Sequence, residues 1–238
     1  MPVRGPSRVV MTNSLLKYIL ICILFFFIGA AGLQGQDKDF QSWWELDLNK
    51  KISGRLDLNG EFQQRFKNNS LQYDRSMMTL GASYDVLDYL KLSGAARLAL
   101  AVDGEHQLET RYRIHLDATG EYDISGFDLS LRLRFQYGFE DFSAFNYFTL
   151  NAVVERYKLK VQRHIYGTRL DWFASFESFL GSTSQSDWRT YALRYSAGAR
   201  YSPNFRSRFT LQYFLEDELN VPAPQLLSIL ALGYSYDF

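Results

Sequence analysis

Alternation of apolar and polar residues is the strongest pattern in this chain. It is longest from Leu108 to Phe139, where apolar, small or aromatic residues occupy every second position on both sides of a short turn at Ser125 and Gly126. Successive side chains of a strand point to opposite faces, so this period of two predicts two antiparallel strands with one apolar and one charged face. The charged face includes Glu109, Arg111, Arg113, His115, Asp117, Glu121, Asp128, Ser130, Arg132 and Arg134.

Two architectures place such strands differently. In a soluble sheet the apolar face packs on a core, whereas in a membrane barrel the apolar face contacts lipid and the polar face lines the lumen. A tilted strand needs about 9 to 11 residues to cross a bilayer, and soluble strands are usually about 5 to 6 residues long. The strands of this hairpin are long enough to cross a bilayer and extend beyond it. The sequence therefore favours an all-β, antiparallel, up-and-down transmembrane β-barrel.

The same alternation recurs along residues 36–238 and gives about eleven strands. Transmembrane barrels of single bacterial chains have even strand numbers, so we expect about 10 to 12 strands. Either the strand of Trp44 does not close the wall, or an extra reversal lies near Glu155. The alternation changes phase between Val154 and Tyr157, which predicts a β-bulge there.

The connections between the predicted strands alternate between short and long. Short turns belong to the periplasmic side of a barrel and long loops to the outside. The longer connections are 67–72, 103–107, 141–146, 181–187 and 217–225. This orientation predicts a periplasmic aromatic girdle of Tyr84, Tyr122, Tyr201, Tyr236 and Phe238, and an outer one of Phe62, Tyr112, Tyr137, Phe176, Tyr191 and Tyr213.

The N-terminal residues have the composition of an export signal. Arg4, Arg8 and Lys17 precede an apolar block, and small residues follow as far as Gly35. The sequence therefore predicts a cleavable signal peptide over residues 1–35, with translation starting at Met1 or Met11, and one barrel domain over 36–238. Cys22 lies within the signal, so the mature barrel has no thiol.

Composition agrees with a membrane barrel and argues against a nucleic-acid partner. The 238 residues include 19 Phe, 16 Tyr and 4 Trp, beside 26 basic and 26 acidic residues. The near-balanced charge gives no reason to expect nucleic-acid binding.

The chain ends in alternating aromatic residues, Tyr234, Tyr236 and Phe238. This ending resembles the C-terminal signal of bacterial outer-membrane barrels, so the expected partners are the barrel-assembly machinery and outer-membrane lipids.

Short motifs spread over the mature chain resemble the domain-of-unknown-function 2490 family of small bacterial outer-membrane barrels. They are 43–46, 50–52, 60–62, 65–66, 155–159, 175–179 and 234–238, which read WWEL, KKI, GEF, RF, ERYKL, SFESF and YSYDF. The resemblance implies a barrel located in the outer membrane of a Gram-negative bacterium. It implies no activity, cofactor or catalytic residue.

The polar residues of the lumen are the candidate functional residues. The lumen-lining candidates are Arg111, Arg113, His115, Asp117, Arg132, Arg134, Glu177, Arg194 and Arg200. They fit a structural wall held by ion pairs, or a narrow porin-like channel for small solutes. Surface binding through an aromatic loop of Phe142, Phe145, Tyr147 and Phe148 is an alternative.

A hydrolase that acts on lipid or peptide is a more remote alternative. It would use His115 with Asp117 on the same face and Ser130 on the next strand, but the sequence shows no oriented nucleophile or oxyanion site. The remaining histidines, His106 and His164, lack the spacing of a metal site. We therefore expect neither catalytic residues nor a metal or other cofactor.

Overall fold

The structure is a computed structural model that describes residues 37–102, 107–139, 152–183, 186–221 and 224–238. Eleven strands make up these residues. They are β1 (Asp37–Lys51), β2 (Leu56–Lys67), β3 (Gln72–Leu87), β4 (Leu90–Val102), β5 (Leu108–Ile124), β6 (Phe127–Phe139), β7 (Ala152–His164), β8 (Leu170–Thr183), β9 (Ser186–Tyr201), β10 (Ser207–Glu218) and β11 (Gln225–Asp237). The predicted signal peptide, the loop of Phe142, Phe145, Tyr147 and Phe148, and His106 lie outside the described residues.

The strands form one closed barrel in which each strand pairs with its neighbour in sequence, and β1 closes the wall against β11. This closing pair is parallel, with a register that runs from Asp37 opposite Gln225 to Asn49 opposite Asp237. With an odd number of alternating strands, the first and the last run in the same direction. The all-β barrel and the predicted strand number are confirmed, but the expectation of antiparallel pairing throughout is wrong at this pair.

Strand β7 is continuous, so the predicted bulge between Val154 and Tyr157 is wrong. Its pairing with β6 shows no register shift, and Val154 lies opposite the inward residue Gln136. Val154 is a buried apolar residue of the lumen face, while Glu155 lies on the outer face, where it accepts a hydrogen bond of 2.7 Å from Tyr157 Oη. An apolar residue inside and an acidic residue outside produced the apparent change of phase.

The two ends of the barrel differ in their connections. We call the end with residues 68–71, 103–107, 140–151, 184–185 and 219–224 the loop end, and the opposite end the turn end. The β8–β9 connection is only 184–185, because both strands extend beyond their predicted ends, so the long connection predicted at 181–187 is wrong. Strand β1 begins at the loop end and β11 ends at the turn end.

Short-range geometry explains the two-residue turn between β5 and β6. Ser125 and Gly126 join β5 to β6, and both have positive φ angles, of 55° and 79°. Two central residues with positive φ form the type I′ hairpin turn, whose twist matches that of the flanking strands. Glycine adopts this conformation without steric cost, which accounts for its place at the tip.

The wall has an apolar outer surface and a polar inner one. Exposed large apolar residues occur on the outer face of every strand, among them Leu46, Phe62, Leu80, Leu98, Leu116, Leu131, Leu159, Phe176, Tyr201, Leu211 and Leu232. Monomeric soluble proteins rarely expose a continuous apolar surface of this extent. No helix among the described residues is long and apolar enough to span a membrane.

Candidate functional site in the barrel lumen

The lumen contains a cavity of about 650 Å³ that extends from the loop-end mouth to the middle of the wall. Gln41, Lys67 and Gln225 lie near its mouth, and Asp47 and Glu61 lie deepest. Its lining includes ten basic side chains, which are Arg65, Lys67, Arg75, Arg97, Arg113, Arg132, Arg134, Arg156, Lys158 and Arg194. Seven acidic side chains accompany them: Glu45, Asp47, Glu61, Asp74, Glu177, Glu216 and Glu218.

Glu177 is the most buried charged residue of the lumen. Its side chain projects from the middle of β8 and is 2% exposed. Its Oε1 atom accepts hydrogen bonds from Arg132 Nη2 at 2.7 Å and from Arg156 Nε at 3.0 Å. Lys158 lies directly opposite it on β7 and Arg194 on β9. One carboxylate therefore joins basic side chains of β6 and β7 to β8.

Asp117 is occupied by Arg134, which excludes it from a catalytic triad with His115. Arg134 donates two hydrogen bonds of 2.7 Å to the Asp117 carboxylate. His115 lies opposite Gln136 on β6, and its Nδ1 atom has no hydrogen-bond partner among the described residues. Ser130 pairs with Glu121, six residues from His115, which is about 20 Å along a strand. The three residues do not form a hydrolytic site.

A cluster of apolar side chains fills the lumen beside the charged residues. Trp43 packs against Phe214 with ring centroids 5.3 Å apart, and Leu227, Ile229 and Ala231 complete the buried cluster. These inward residues were not among the predicted lumen residues. The signal was available, because they share a strand face with polar residues such as Glu45, Gln212 and Ser235.

Arginine side chains connect the apolar cluster to the ion pairs. The guanidinium of Arg194 lies 5.2 Å from the Trp43 ring centroid and 4.8 Å from that of Phe179, and it also forms an ion pair with Glu216. Arg65 also stacks on this ring, 3.6 Å from the Trp43 centroid. A planar guanidinium can stack on an aromatic face and donate hydrogen bonds from its edge. These contacts narrow the lumen between β1 and β8–β10.

The opposite wall of the cavity carries a separate network. Arg97 donates hydrogen bonds to Glu61 at 2.8 Å and to Thr79 at 2.8 Å, which connects β4, β2 and β3. Glu45 accepts a hydrogen bond from Gln63, which in turn accepts one from Arg65 at 2.7 Å. Ion pairs and amides thus join inward side chains of consecutive strands around the barrel.

Buried side chains of β8 and β9 project into the turn-end half of the lumen below the cavity. Phe173 is 4% exposed, and Lys160 and Arg200 lie at 4.9 and 5.9 Å from its ring centroid. Ser175 and Ser196 share a hydrogen bond of 2.7 Å. These side chains form a floor beneath the cavity.

The predicted lumen residues divide between the cavity and other parts of the barrel. All nine lumen candidates lie on inward positions of their strands, and Arg113, Arg132, Arg134, Glu177 and Arg194 line the cavity. The other four do not. Arg111 forms an ion pair of 2.8 Å with Glu109 near the loop end, Arg200 donates to Gln162 in the turn-end half, and His115 and Asp117 are buried in the wall.

Tyr191 does not belong to the outer aromatic girdle. A register shift between β8 and β9 at Phe179 and Leu180 displaces it from the alternation. Its ring lies 5.8 Å from that of Phe179 and lines the cavity. A bulge reverses the face of a residue without changing its neighbours in sequence, so the pattern alone assigned Tyr191 to the wrong side.

The C-terminal aromatic residues lie at the turn end, on the outer face near the seam. The backbone N–H of Phe238 donates to Asn49 O at 2.9 Å, and its ring stacks edge-on with Tyr236 at 5.0 Å. Tyr234 packs against Phe209, also at 5.0 Å. The proposed assembly signal is thus exposed to the surroundings of the barrel.

The described residues offer no evident metal centre, since no group of three or more His, Cys, Asp or Glu side chains among them is placed to bind one ion.

The family model for a protein of unknown function, DUF2490, matches residues 40–220. The chain belongs to this family. None of the curated proteins compared with the sequence matches it significantly.

Solved structures match this family member at low sequence identity. LpxR from Salmonella typhimurium matches with a TM-score of 0.46 and 10% identity, over 79% of this chain and 84% of that chain. A bacterial polysaccharide outer membrane secretin matches with a TM-score of 0.37 and 10% identity, over 76% and 72% of the two chains. With TM-scores below 0.5, neither bears on the function of this chain.

The motifs that carry the family resemblance contribute to one cavity. Glu61, Arg65, Arg156, Lys158 and Glu177 come from four separate motifs of this family member and line the lumen together. Their alternate neighbours in the same motifs, such as Phe62 and Phe176, face outward and are exposed. The motifs therefore contain both the apolar outer surface and the charged lumen.

Proposed function

We propose that this protein is an integral outer-membrane barrel, exported by a signal peptide, whose lumen is closed in its turn-end half and open as a charged vestibule at the loop end. Its role is that of a structural wall with a vestibule rather than an open pore. The outer surface supports the location, because exposed leucines and aromatic residues surround the barrel while charged residues lie inside. This distribution is typical of membrane barrels and the reverse of a soluble protein.

The main support for a closed lumen is that side chains projecting into its turn-end half are buried. Phe173 and Ser175 on β8 and Ser196 on β9 project inward in the turn-end half of the wall, and each is buried. A water-filled channel would leave inward side chains exposed to water. Barrels of about eight strands are filled by side chains and those of 16 to 18 strands hold wide channels, so eleven strands are compatible with a filled lumen.

Planar-bilayer recording tests the closed lumen. The detergent-refolded protein, shown to be folded by heat-modifiable gel mobility, is expected to insert and to give no steady conductance. Phe173→Ala is expected to give measurable conductance, because it removes the ring that fills the floor. Leu211→Ala, on the outer face of β10, is the matched control and is expected to stay silent. Steady conductance of the wild-type protein would instead support a narrow channel.

The location has its own test. Fractionation is expected to leave the protein in the outer membrane after a carbonate wash, with detergent required for its extraction. A monomeric protein that is soluble without detergent would contradict the membrane assignment.

The narrow channel remains the second candidate, because the cavity of about 650 Å³ already reaches the middle of the wall. It requires only that the floor at Phe173 move aside. The conductance measurement separates the two functions, since an intermittent or voltage-dependent current would require such a movement and a silent barrel would not.

A further inference from the structure

The geometry points to a binding site for the phosphate group of a small water-soluble solute on one wall of the loop-end vestibule. We call this wall the cationic patch and define it as Arg113, Arg132, Arg134, Arg156 and Lys158. It lies on β5, β6 and β7, and all five side chains line the same cavity. The inference rests on the proposed function only in that the vestibule must be open to the outside.

The cationic patch carries more positive charge than its carboxylates balance. Among the described residues, the carboxylates bonded to it are Asp117, which binds Arg134, and Glu177, which binds Arg132 and Arg156. Five basic groups thus share two carboxylates. Buried charges are ordinarily paired, so an excess of this size on one wall favours the binding of an anion from solution.

The register of the strands brings like charges together. Arg132 lies directly opposite Lys158, and Arg134 lies directly opposite Arg156. Facing side chains on adjacent strands have Cβ atoms about 4.5–5.5 Å apart, and like charges in this position are destabilising. The neighbouring rows show the ordinary arrangement, since Glu177 faces Lys158 on one side and Arg194 on the other. Like-charged rows also occur where Arg97 faces Arg113 and where Arg65 faces Arg75, so they extend along much of the vestibule wall.

The cationic patch includes a buried donor without a partner. The Nε atom of Arg132 is buried and has no hydrogen-bond partner among the described residues. No ion pair among the described residues includes the side chain of Arg113 or Lys158, and Glu177 is the carboxylate that lies opposite Lys158. Guanidinium and ammonium groups without a partner can donate hydrogen bonds to an anion. A buried donor that lacks a hydrogen bond costs free energy.

The chemistry of the donors selects an oxyanion, and the charge selects phosphate. Arginine presents its N–H groups in a planar fork that matches phosphate and carboxylate oxygens, and lysine adds a point charge. A phosphate monoester carries about −1.5 to −2 charges at neutral pH, closer to the excess on the patch than a single carboxylate is. A cavity of about 650 Å³ has room for a phosphate ester. The barrel wall separates this cavity from the membrane, so the source is a soluble phosphate and not a lipid headgroup.

Calorimetric titration of the folded barrel in a zwitterionic detergent with inorganic phosphate, at low ionic strength, tests the site. Saturable binding is expected, and Lys158→Gln is expected to weaken it at least tenfold. Lys160→Gln is the matched control, because Lys160 lies two residues along the same face of β7, outside the cavity, and donates to Gln162 at 2.8 Å. Its effect is expected to be below about twofold.

A second matched pair guards against a folding defect in the first. Arg113→Gln is expected to weaken phosphate binding by a similar factor, whereas Arg111→Gln, two residues away and paired with Glu109, is expected to leave it unchanged. Each variant is accepted only if its heat-modifiable gel mobility matches that of the wild type. Absence of saturable phosphate binding, or equal weakening by patch and control variants, would overturn the site.

Two competitors distinguish the source of the phosphate. Glycerol phosphate is expected to displace inorganic phosphate from the barrel, and phosphatidic acid added to the detergent micelles is expected to leave phosphate affinity unchanged. Stronger competition by the lipid would overturn the assignment to a soluble solute. The titration is independent of conductance, so a barrel that conducts would contradict the closed lumen without affecting the phosphate site.

Discussion

Replacing Glu177 by glutamine is the sharpest perturbation of the lumen. Glutamine keeps the shape of the side chain but removes the charge that holds Arg132 and Arg156. The ion pairs are short, at 2.7 and 2.9 Å, and the three side chains are largely buried. Removing one partner of a buried ion pair costs about 3–5 kcal/mol, because the remaining charge stays buried without compensation. Water in the adjacent cavity places the expected loss at the lower end, about 3 kcal/mol.

Urea unfolding of the folded barrel in detergent measures this loss. With a denaturant dependence of about 1–3 kcal/mol per molar urea, the midpoint is expected to fall by about 1–3 M. Glu109→Gln is the matched control, since its ion pair with Arg111 has a comparable distance but both side chains are 42% exposed. Exposed pairs contribute about 0.2–1 kcal/mol, so the control midpoint should move far less.

The double variant Glu177→Gln with Lys158→Gln adds a test of the physical cause. If repulsion among uncompensated cations produces the loss, removing the adjacent lysine should recover part of the stability. Equal effects of Glu177→Gln and Glu109→Gln would refute the reasoning, because they would show that the lumen screens its charges as completely as the surface does.

Three further predictions concern packing, assembly and orientation. Gly198→Ala is expected to lower stability by about 1–3 kcal/mol in the same urea assay, because an added Cβ would lie 2.6 Å from a backbone oxygen of β10 and 2.6 Å from the Phe173 ring; full stability would show that the ring moves freely. Phe238→Ser is expected to reduce the assembled fraction in cells without impairing refolding of the purified protein, since this side chain is exposed, and an equal refolding defect would contradict a role as assembly signal. An epitope inserted at Asn69, at the loop end, should be labelled on intact cells and one at Gly167, at the turn end, should not; the reverse result would invert the barrel.

Most of the wall could be predicted from the sequence, because alternation reports directly which face each residue occupies. Leu116 and Asp117 show this, since one is exposed outside and the other is buried inside, as their places in the pattern require. The prediction failed where geometry interrupts the alternation. Tyr191 changes sides at a register shift, and Glu155 faces outward within a regular strand. The alternation of apolar and polar residues contains no information on the register shift at Tyr191 or on the outward position of an acidic residue such as Glu155.

In the lumen, too, the sequence predicted which residues face inward but not how they pair. Sequence alone assigned Arg132, Arg134 and Glu177 to the lumen. It did not reveal that Arg132 and Arg156 both form ion pairs with Glu177, or that Arg134 forms one with Asp117. Knowing which face of a strand a residue occupies does not identify its partner on the next strand. Pairing depends on register, which the turns and bulges set together over the whole wall.

The sequence by itself determined that this chain is a barrel of long strands with an apolar outer face and a charged lumen, since side-chain alternation is a local property of extended backbone. Only the tertiary structure decided how the barrel closes and what fills it. The parallel seam between β1 and β11 follows from bringing together strands nearly two hundred residues apart in sequence. The contacts of Trp43 with Phe214 and Arg194 likewise depend on the curvature of the closed wall, which alternation along one strand does not specify.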